Sequence, residues 1–485
     1  MRPFAAFLVL FVSLSVLYAT DLATKDVEWS EPDSVRFTLT WRNAWHNQRN
    51  HDAAWIFFKV RRRGDEGPPR HAAIAQGGIH FLGGAAGGGA GDAQPEEAVS
   101  SHPAPEGEPR LDVSSDRRGV FVSCARPCRG DVEWRLEASL DPSGLDGELE
   151  IMVFGLEMVY IPQGAFWAGD TDQVARQHGS FFRSDEEGRP EGLVHITSED
   201  ALTVGPEAGN LYYEVHTRPR YEGDQQGPVP AAFPKGFGAF YVMKYEITQG
   251  QYAAFLNTLG DGATGFRAPF GGRGYYDYRG SILLEDGRYR ALHPRRPANF
   301  ISWDDGCAFA DWAALRPMTE LEYTKAARGP ERPTTSTFPW GTGNKDRLLR
   351  RMRPDNDLER SGEAAESNLS DETRDVLGAS HYWVMDLAGS VWERVVSVGH
   401  PAGRAFQGSH GDGRTTYYGS ATNDDWPGGD DNGGGYGYRG GGFYDHSHPE
   451  GLFNPHSPTG FRRFGAWGAA PRYKAYGFRA VRTAD

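Results

Sequence analysis

The N-terminal third of the chain alternates apolar and polar residues in the way that is typical of β-strands. Segments rich in β-branched and aromatic residues predict strands over residues 35–41, 54–63, 119–125, 132–140 and 149–161. We expect these strands to form an all-β, sandwich-like domain over residues 20–155. Residues 64–118 are rich in glycine, alanine, proline and glutamate, and predict a long mobile loop. His46, His51 and Asp52 are expected to lie in a polar hairpin loop.

Beyond residue 240 the apolar positions change to helical spacing. Three segments begin with a capping residue and continue with apolar side chains three or four residues apart, which predicts helices within 248–260, 301–316 and 319–329. Thr248 with Gln251, and Thr319 with Glu322, have the spacing of a capping box, and Ser302 is a capping residue for the middle helix. The second part of the chain is therefore predicted to mix helices with short strands.

The segment VMDLAGSVWERVV, residues 384–396, combines two short, apolar, strand-like pieces with a tight turn at residues 388–390. Asp386 and Glu393 lie on either side of this turn. A bend that brings together two carboxylates and several backbone carbonyl groups suits a hard cation such as Ca²⁺. The alternative is a β-turn whose acidic side chain points to solvent. On these residues alone both interpretations stay open.

Seven segments follow one another in an order that resembles the sulfatase-modifying-factor family, which contains the formylglycine-generating-enzyme-like domains. The segments are GAFWAGD, YEITQGQYAAFLN, ISWDDGCAFADWAALRPMTELEYTKAARG, FPWGTGN, VMDLAGSVWE, YRGGGF and YGFRAVR. The resemblance covers about residues 156–485. It implies an α+β fold with few regular elements, a variant of the C-type-lectin-like fold, and Ca²⁺ held inside it.

The resemblance also implies which residues bind this Ca²⁺. The implied ligands are two side chains and two backbone carbonyl groups, from Asp386, Glu393, Gly389 and Val391. Asp386 stands where the family often has asparagine, which keeps an oxygen ligand at the position. A second implied Ca²⁺ site lies near Asn368 and Leu369, with an acidic residue such as Asp375 further along the chain.

The resemblance does not extend to the residues of the family's oxidation chemistry. Oxidases of the family bind copper and engage a substrate cysteine through two cysteines just after the RGG segment. Counted from Arg439, those positions fall on Asp445 and Glu450, and no cysteine follows residue 307. Cu(I) prefers thiolate ligands, so we expect neither copper nor this oxidation. Another branch of the family uses non-haem iron bound by histidines of a helical domain, whereas the additional domain here is predicted to be β.

A cluster of histidines and carboxylates lies where the family has its pocket. Its members fall within twelve residues and are Asp445, His446, His448, Glu450 and His456. Histidine and carboxylate together can bind Zn²⁺ or Fe²⁺. The alternative is that these histidines are unliganded in an exposed, turn-rich loop. With Arg439 and Trp467, the cluster forms the candidate ligand pocket.

Charge and the N-terminal segment indicate where the protein acts. The 485-residue chain has a formal net charge of −14, which argues against a partner made of duplex nucleic acid. Residues 1–19 resemble a secretory signal peptide, because Arg2 precedes a short apolar run that ends at small residues. A membrane anchor is the alternative, although the run is short for a bilayer span. We expect an exported protein, either secreted or at the cell surface, with the periplasm as a further option.

The chain contains three cysteines. Cys124 and Cys128 lie in a loop-like segment and are expected to form a disulfide in an oxidising compartment, with two free thiols as the alternative. Cys307 lies on a predicted helix, where a buried and unreactive thiol is the default.

Three classes of function are compatible with these observations. We favour a non-catalytic binding or scaffold protein, in which loops on a Ca²⁺-stabilised domain capture a glycan or a protein. Aromatic residues crowd the C-terminal third, among them Tyr417 and Tyr418, and those outside the core are candidates for a ligand platform. The second class is an enzyme that modifies exported proteins, by formylglycine-type chemistry or through the histidine and carboxylate cluster. The third is a structural subunit of an extracellular assembly, which implies a homo-oligomer.

Overall fold

The computed structural model describes residues 22–30, 33–65, 67–87, 105–141, 144–145, 147–214, 223–269, 274–348, 351–352, 358–359, 368–428, 434–443, 456–468 and 472–485. Within these ranges helices and strands are mixed, in agreement with the predicted α+β class. No helix in these ranges is long and apolar enough to cross a membrane.

The N-terminal part consists of antiparallel strands. They are β1 (Leu22–Ser30), β2 (Ser34–His46), β3 (Asp52–Arg62), β4 (Arg70–Gly87), β5 (Pro109–Val113), β6 (Val120–Cys124), β7 (Cys128–Asp141) and β8 (Leu149–Ile161). Hydrogen bonds join them in the order β1-β2-β7-β4-β3-β8, with β6 paired to β3 and β5 paired to β6. Each segment predicted to be a strand here overlaps an observed strand.

The prediction of one long loop over residues 64–118 is wrong in part. β4 and β5 lie inside it, and β4 pairs with β7 over most of its length. A Cβ atom at Gly84 would lie 2.8 Å from the Cδ1 atom of Trp134, so the absence of a side chain lets the two strands approach. Ile74 and Ile79 of the same strand are buried. Residues 88–104 of the predicted loop lie outside the described residues.

β3 is buried on both of its faces. Ala54, Ile56 and Phe58 face a core that β2, β7 and β8 also line. Trp55 and Phe57, which point to the other face, pack in a second core formed mainly by residues beyond 155. Burial on both faces is the reason why the β3 sequence is apolar almost throughout, whereas β7 shows strict alternation.

The strands of the N-terminal part continue into the second part of the chain. β8 pairs with β3 on one side and on the other with β16 (Phe240–Met243). From β16 the hydrogen bonds run to β25 (Ala480–Thr483) and then to β19 (Arg316–Pro317). The predicted domain boundary at residues 155–156 therefore lies inside β8. The division into two domains stays a prediction.

The remaining elements are short. The helices are α1 (Gln173–Gln177), α2 (Gln249–Leu256), α3 (Asp261–Arg267), α4 (Trp303–Trp312), α5 (Glu320–Arg328), α6 (Arg374–Leu377) and α7 (Pro401–Arg404). The strands up to α2 are β9 (Phe166–Ala168), β10 (Phe181–Ser184), β11 (Pro190–Gly192), β12 (Val194–Ile196), β13 (Leu202–Val204), β14 (Leu211–Tyr213) and β15 (Gly227–Val229). Those that follow are β17 (Ile282–Glu285), β18 (Arg288–Ala291), β20 (Arg351–Met352), β21 (Leu358–Glu359), β22 (Trp392–Val396), β23 (Tyr436–Arg439) and β24 (Tyr476–Gly477).

The three predicted helices are confirmed. α2, α4 and α5 each begin with a capping box, in which the capping residue is Thr248, Ser302 and Thr319 respectively. The partner side chain of the α4 box is Asp305, so a short acid completes the box in place of glutamate or glutamine. These helix starts depend on atoms within one turn, which explains why the sequence predicts them well.

The 384–396 segment contains one strand rather than two. Its second half is β22, which lies between β23 and β24 in a three-stranded sheet. Its first half forms no strand, and within it Asp386 has a positive φ angle of 63°, outside the β region. The prediction of two strand-like pieces is therefore wrong for residues 384–387.

Candidate cation and ligand site

The turn of the 384–396 segment is held by contacts to α5 and to the residues after β23. The amide of Gly389 donates a hydrogen bond to the carbonyl of Gly440 over 2.9 Å, and the hydroxyl of Tyr323 in α5 donates to the carbonyl of Leu387. The amide of Phe443 donates to the carbonyl of Ser390 over 2.9 Å. The turn therefore has one defined conformation, which an ion site requires of its ligands.

Glu393 is fully buried and only one of its carboxylate oxygens is engaged. Oε1 accepts hydrogen bonds from Nε and Nη2 of Arg479, over 2.9 and 2.6 Å. Oε2 is buried and finds no hydrogen-bond partner among the described residues. An oxygen of this kind, deprived of water and without a donor, is suited to bind a cation.

A second buried carboxylate shares the same guanidinium. Oε2 of Glu246 lies 3.8 Å from Nη2 of Arg479, and neither oxygen of Glu246 accepts a hydrogen bond from a described residue. When both carboxylates are ionised, this trio of two carboxylates and one guanidinium carries one net negative charge. Burial raises the pKa of Glu393 to about 7, Arg479 opposes the rise, and Glu246 adds to it.

The residues present fit a hard cation next to Oε2 of Glu393. Asp386 is also buried, and it lies three residues before Gly389 in the sequence. In the described part of the chain, no three side chains of His, Cys, Asp or Glu converge on one point. An ion here would thus need backbone carbonyl oxygens to complete its coordination, as the implied ligands Gly389 and Val391 would provide. Calcium binding at this turn stays a prediction.

A guanidinium group contacts the second implied Ca²⁺ site. The carbonyl oxygen of Leu369 accepts a hydrogen bond from Nη1 of Arg129, so a guanidinium already lies at the oxygen assigned to the ion. Asp375 forms an ion pair with Arg347 over 2.8 Å, and Asn368 is exposed. An ion at this place would share the carbonyl oxygen of Leu369 with the guanidinium of Arg129, and Ca²⁺ binding here stays a prediction.

The candidate ligand pocket is only partly described. Asp445, His446, His448 and Glu450 lie outside the described residues. Arg439 is fully buried, and its guanidinium is used internally: it donates to the carbonyl of Thr459 over 2.7 Å and pairs with Glu320 at 3.4 Å. Arg439 presents almost no surface to solvent, and its role as a ligand contact stays a prediction.

The other two members of the pocket belong to hydrophobic packing. Trp467 is half-buried against Tyr438 and Phe464, with ring centroids 5.6 Å apart in both pairs. His456 is buried with its ring 5.8 Å from that of Trp340. Both residues help to hold the chain after β23 in place.

All three cysteines lie away from the RGG segment in sequence. The sulfur atoms of Cys124 and Cys128, at the junction of β6 and β7, are 2.10 Å apart, which is bonding distance. Cys307 is buried in α4.

β2 and the turn that follows it contact residues 371–383, which precede the 384–396 segment. Arg49 forms a two-pronged ion pair with Asp371, over 2.6 and 2.5 Å, and Asn50 donates to the carbonyl of Tyr382 over 3.0 Å. The rings of Trp45 and Trp383 are 4.7 Å apart. Sequence reasoning missed these contacts, because no local pattern marks partners more than 300 residues apart.

A short turn connects β2 to β3, with an antiparallel bridge between His46 and His51, so the predicted hairpin loop is present. The prediction fails for the side chains of His51 and Asp52, which are buried. His51 is buried with its ring stacked on that of Tyr160 at 4.9 Å, and burial lowers the pKa of His51 to about 3. Asp52 is buried, and its Oδ2 atom lies 3.8 Å from Nζ of Lys244, the residue directly after β16. These polar residues are therefore part of the junction between β3, β8 and β16.

Comparison with known proteins identifies relatives for the second part of the chain. A model of the sulfatase-modifying factor enzyme 1-like domain matches residues 155–484. A formylglycine-generating enzyme from Thermomonospora curvata is 29% identical over 106 residues, which are 21% of this chain and 33% of that enzyme. This chain thus spans about a third of that relative.

A solved structure, the group B streptococcus pilus 2b backbone protein, is similar over 46% of this chain and 83% of that chain, at 11% identity. Its TM-score of 0.14 is too low to carry an argument about fold or assembly.

Proposed function

Because the chain belongs to the sulfatase-modifying factor enzyme 1-like family over residues 155–484, we propose that it is a non-catalytic binding or scaffold protein that acts outside the cytoplasm. The membership confirms the resemblance inferred from the seven segments. The family name alone does not decide the activity, since one fold supports catalytic and non-catalytic members.

The position of the cysteines carries this proposal. Cys124 and Cys128 are bonded to each other between two N-terminal strands, and Cys307 is buried inside α4. Formylglycine formation of the family type needs two accessible thiolates for Cu(I) and for the substrate cysteine. The chain has no further cysteine, so it has no pair of residues for this step.

Calcium as a structural ion is part of the proposal. It is supported by the unpaired Oε2 atom of Glu393 and by the net negative charge of the trio formed by Glu246, Glu393 and Arg479. When bound, the ion would supply positive charge and fix the turn, with no part in chemistry.

The architecture of both parts of the chain is also part of the proposal. We propose that residues 156–485 form a variant of the C-type-lectin-like fold and that the N-terminal strands form a β-sandwich. The second statement is supported by the core that lies between β2 and β7 on one side and β3 and β8 on the other. Export is supported by the leader-like sequence and by the bonded cysteines, since disulfides persist in oxidising compartments.

The decisive experiment measures formylglycine formation directly. The purified full-length protein is incubated with copper, oxygen and a cysteine-containing sulfatase-motif peptide, and the peptide is analysed by mass spectrometry. The Thermomonospora curvata enzyme serves as the positive control. We expect the peptide cysteine to remain unchanged with this protein and to be converted by the control. Conversion by this protein would refute the non-catalytic role.

A further inference from the structure

Residues 412–422 form a loop whose two ends bind to one buried carboxylate. Oδ1 of Asp311, in α4, accepts the amide of Asp412 over 2.9 Å. Oδ2 accepts the amide and the hydroxyl of Thr422, over 2.7 and 3.0 Å. Because one helix residue holds both ends, the loop leaves and rejoins the domain at fixed points.

The tip of this loop, residues 416–420, is a closed turn. The amide of Thr416 donates to the carbonyl of Ser420 over 2.9 Å, and the amide of Gly419 donates back to the carbonyl of Thr416 over 2.8 Å. Arg267 of α3 is buried below the tip and donates to the hydroxyl of Ser420 over 3.0 Å. The same guanidinium pairs with Asp305 at 3.2 Å, which connects the tip to α4. Hydrogen bonds within the turn and from Arg267 therefore stabilise the tip of the loop.

The N-terminal strands support the base of the loop. Nζ of Lys59, a buried residue of β3, donates to the carbonyl of Gly413 over 2.6 Å. Asp311 and Asp412 are the negative charges that face this ammonium group. The 412–422 loop thus rests on both parts of the chain, which makes its conformation a property of the whole fold.

Three aromatic rings project from this base, and we call Phe266, Tyr417 and Tyr418 the aromatic platform. Their side chains are exposed by 54%, 79% and 55% respectively. The ring centroids of Tyr417 and Tyr418 are 5.3 Å apart and those of Phe266 and Tyr418 are 5.1 Å apart, both pairs with one ring edge toward the other. More than half of each of these side chains therefore lies in solvent.

We propose that the aromatic platform binds a neutral oligosaccharide. The C–H faces of pyranose rings pack on aromatic rings, and sugar hydroxyls bond to hydroxyl groups at the rim. The loop sequence offers such groups from Thr415, Thr416, Ser420 and both tyrosines. Its two charges, Asp412 and Arg414, lie 3.7 Å apart and offset each other, which favours an uncharged sugar. A tip that is already ordered loses little conformational entropy when it binds.

The size of the platform favours a sugar over a protein. At 150–250 Å² for each aromatic side chain, the exposed fractions amount to roughly 280–470 Å². A stable protein interface buries about 800 Å² on each partner, so the platform is too small for one. It matches the footprint of a few sugar units. This inference rests on the proposed function, because it assigns a ligand class to the binding role.

The test uses the full-length protein and a panel of uncharged hexasaccharides, namely those of cellulose, xylan, mannan, chitin, laminarin and starch. Hyaluronan hexasaccharide is the charged comparison. Binding is measured by saturation-transfer NMR and by calorimetry for the wild type, for the double variant Tyr417→Ala with Tyr418→Ala, and for Tyr417→Phe. Leu284→Ala, at an exposed residue of β17, is the matched control for loss of an exposed apolar side chain.

We expect at least one neutral hexasaccharide to bind, and its affinity to fall about tenfold or more in the double alanine variant. Tyr417→Phe keeps the ring and is expected to keep most of the affinity, and Leu284→Ala to match the wild type. Failure of every neutral hexasaccharide to bind would overturn the proposal, as would binding that survives the double variant or is confined to hyaluronan. Self-association that the double variant abolishes would assign the platform to a second copy and overturn it too. The formylglycine assay is independent of these outcomes, so the two proposals can fail separately.

Discussion

Removing the buried guanidinium of Arg479 tests the charge arrangement around the 384–396 segment. In the variant Arg479→Met, Glu393 loses both hydrogen bonds to Oε1, and Glu246 loses the cation that lies 3.8 Å away. The carbonyl oxygens of Met243 and Met385 lose their donors at 2.7 and 2.8 Å as well. A methionine of similar length fills the space, so the effect reports charge and hydrogen bonding rather than a cavity.

The expected loss of stability is large because two carboxylates remain buried without a partner. Removing one member of a buried ion pair lowers stability by about 3–5 kcal/mol. The matched control is Arg290→Met, which breaks the pair with Glu285 on the surface, where the two side chains are 62% and 54% exposed. An exposed pair of this kind contributes about 0–1 kcal/mol. The urea concentration at the midpoint of unfolding is measured for each protein by tryptophan fluorescence.

The deficit should also depend on pH in a defined direction. The pKa of Glu393 is raised to about 7 already in the wild type, from an ordinary value of 4.5, and it rises further without Arg479. A carboxyl group whose pKa is higher in the folded state takes up its proton on folding, so stability is lost as the pH increases through that range. We expect the gap between Arg479→Met and the wild type to be wider at about pH 8 than at about pH 5.5. Equal midpoints for Arg479→Met and Arg290→Met, or a gap that does not change with pH, would refute the reasoning.

Three further predictions concern calcium at the turn, the buried His51 and the glycine of β4. A calcium chelator is expected to lower the thermal midpoint of the wild type but not that of Glu393→Gln. Equal effects on both proteins would show that the ion does not bind at this turn. The pKa of His51 is lowered from 6.5 to about 3. Its contribution to stability is therefore present above pH 6.5 and declines as the pH falls toward 3. The urea midpoint of His51→Phe should fall less over this pH range than that of the wild type, and an equal fall would contradict the expectation. Gly84→Ala should lower stability by about 1–3 kcal/mol because of overpacking against Trp134, whereas Gly67→Ala, where a Cβ would meet no atom within 4 Å, is the control in the same urea titration.

Cationic side chains of the N-terminal part bind three loops of the second part of the chain. Arg129 lies at the carbonyl of Leu369, Arg49 binds Asp371, and Lys59 binds the carbonyl of Gly413. Each of these cations comes from an N-terminal strand or from the turn between β2 and β3, and each ends on a loop of the second part of the chain. An N-terminal truncation would therefore remove support for these loops as well as the strands themselves.

Much of the fold could be predicted because its signals are local. The capping boxes at Thr248, Ser302 and Thr319 are completed by atoms three residues away, and the order of the seven segments predicts the family. The strands of the N-terminal part follow from side-chain alternation and β-branched content. These features depend on near neighbours along the chain, so they can be read without knowledge of the packing.

Glycine-rich strands and buried polar residues could not be predicted in this way. A Cβ atom at Gly84 of β4 would clash with the side chain of Trp134, and the ring of Tyr160 stacks on that of the buried His51. In both cases the partner comes from a distant part of the chain, and composition alone indicates a loop.

The sequence by itself determined the family, the helix starts, most of the strands and the absence of a second thiol pair. The tertiary structure alone decided that Arg479 joins Glu246 to Glu393, that Arg129 takes the oxygen of Leu369, and that Asp311 orders the loop bearing Tyr417 and Tyr418. The physical reason is distance along the chain: Arg129 and Leu369 are separated by 240 residues. Electrostatic interactions depend on separation in space and on burial, and neither quantity is written in the local pattern of residues.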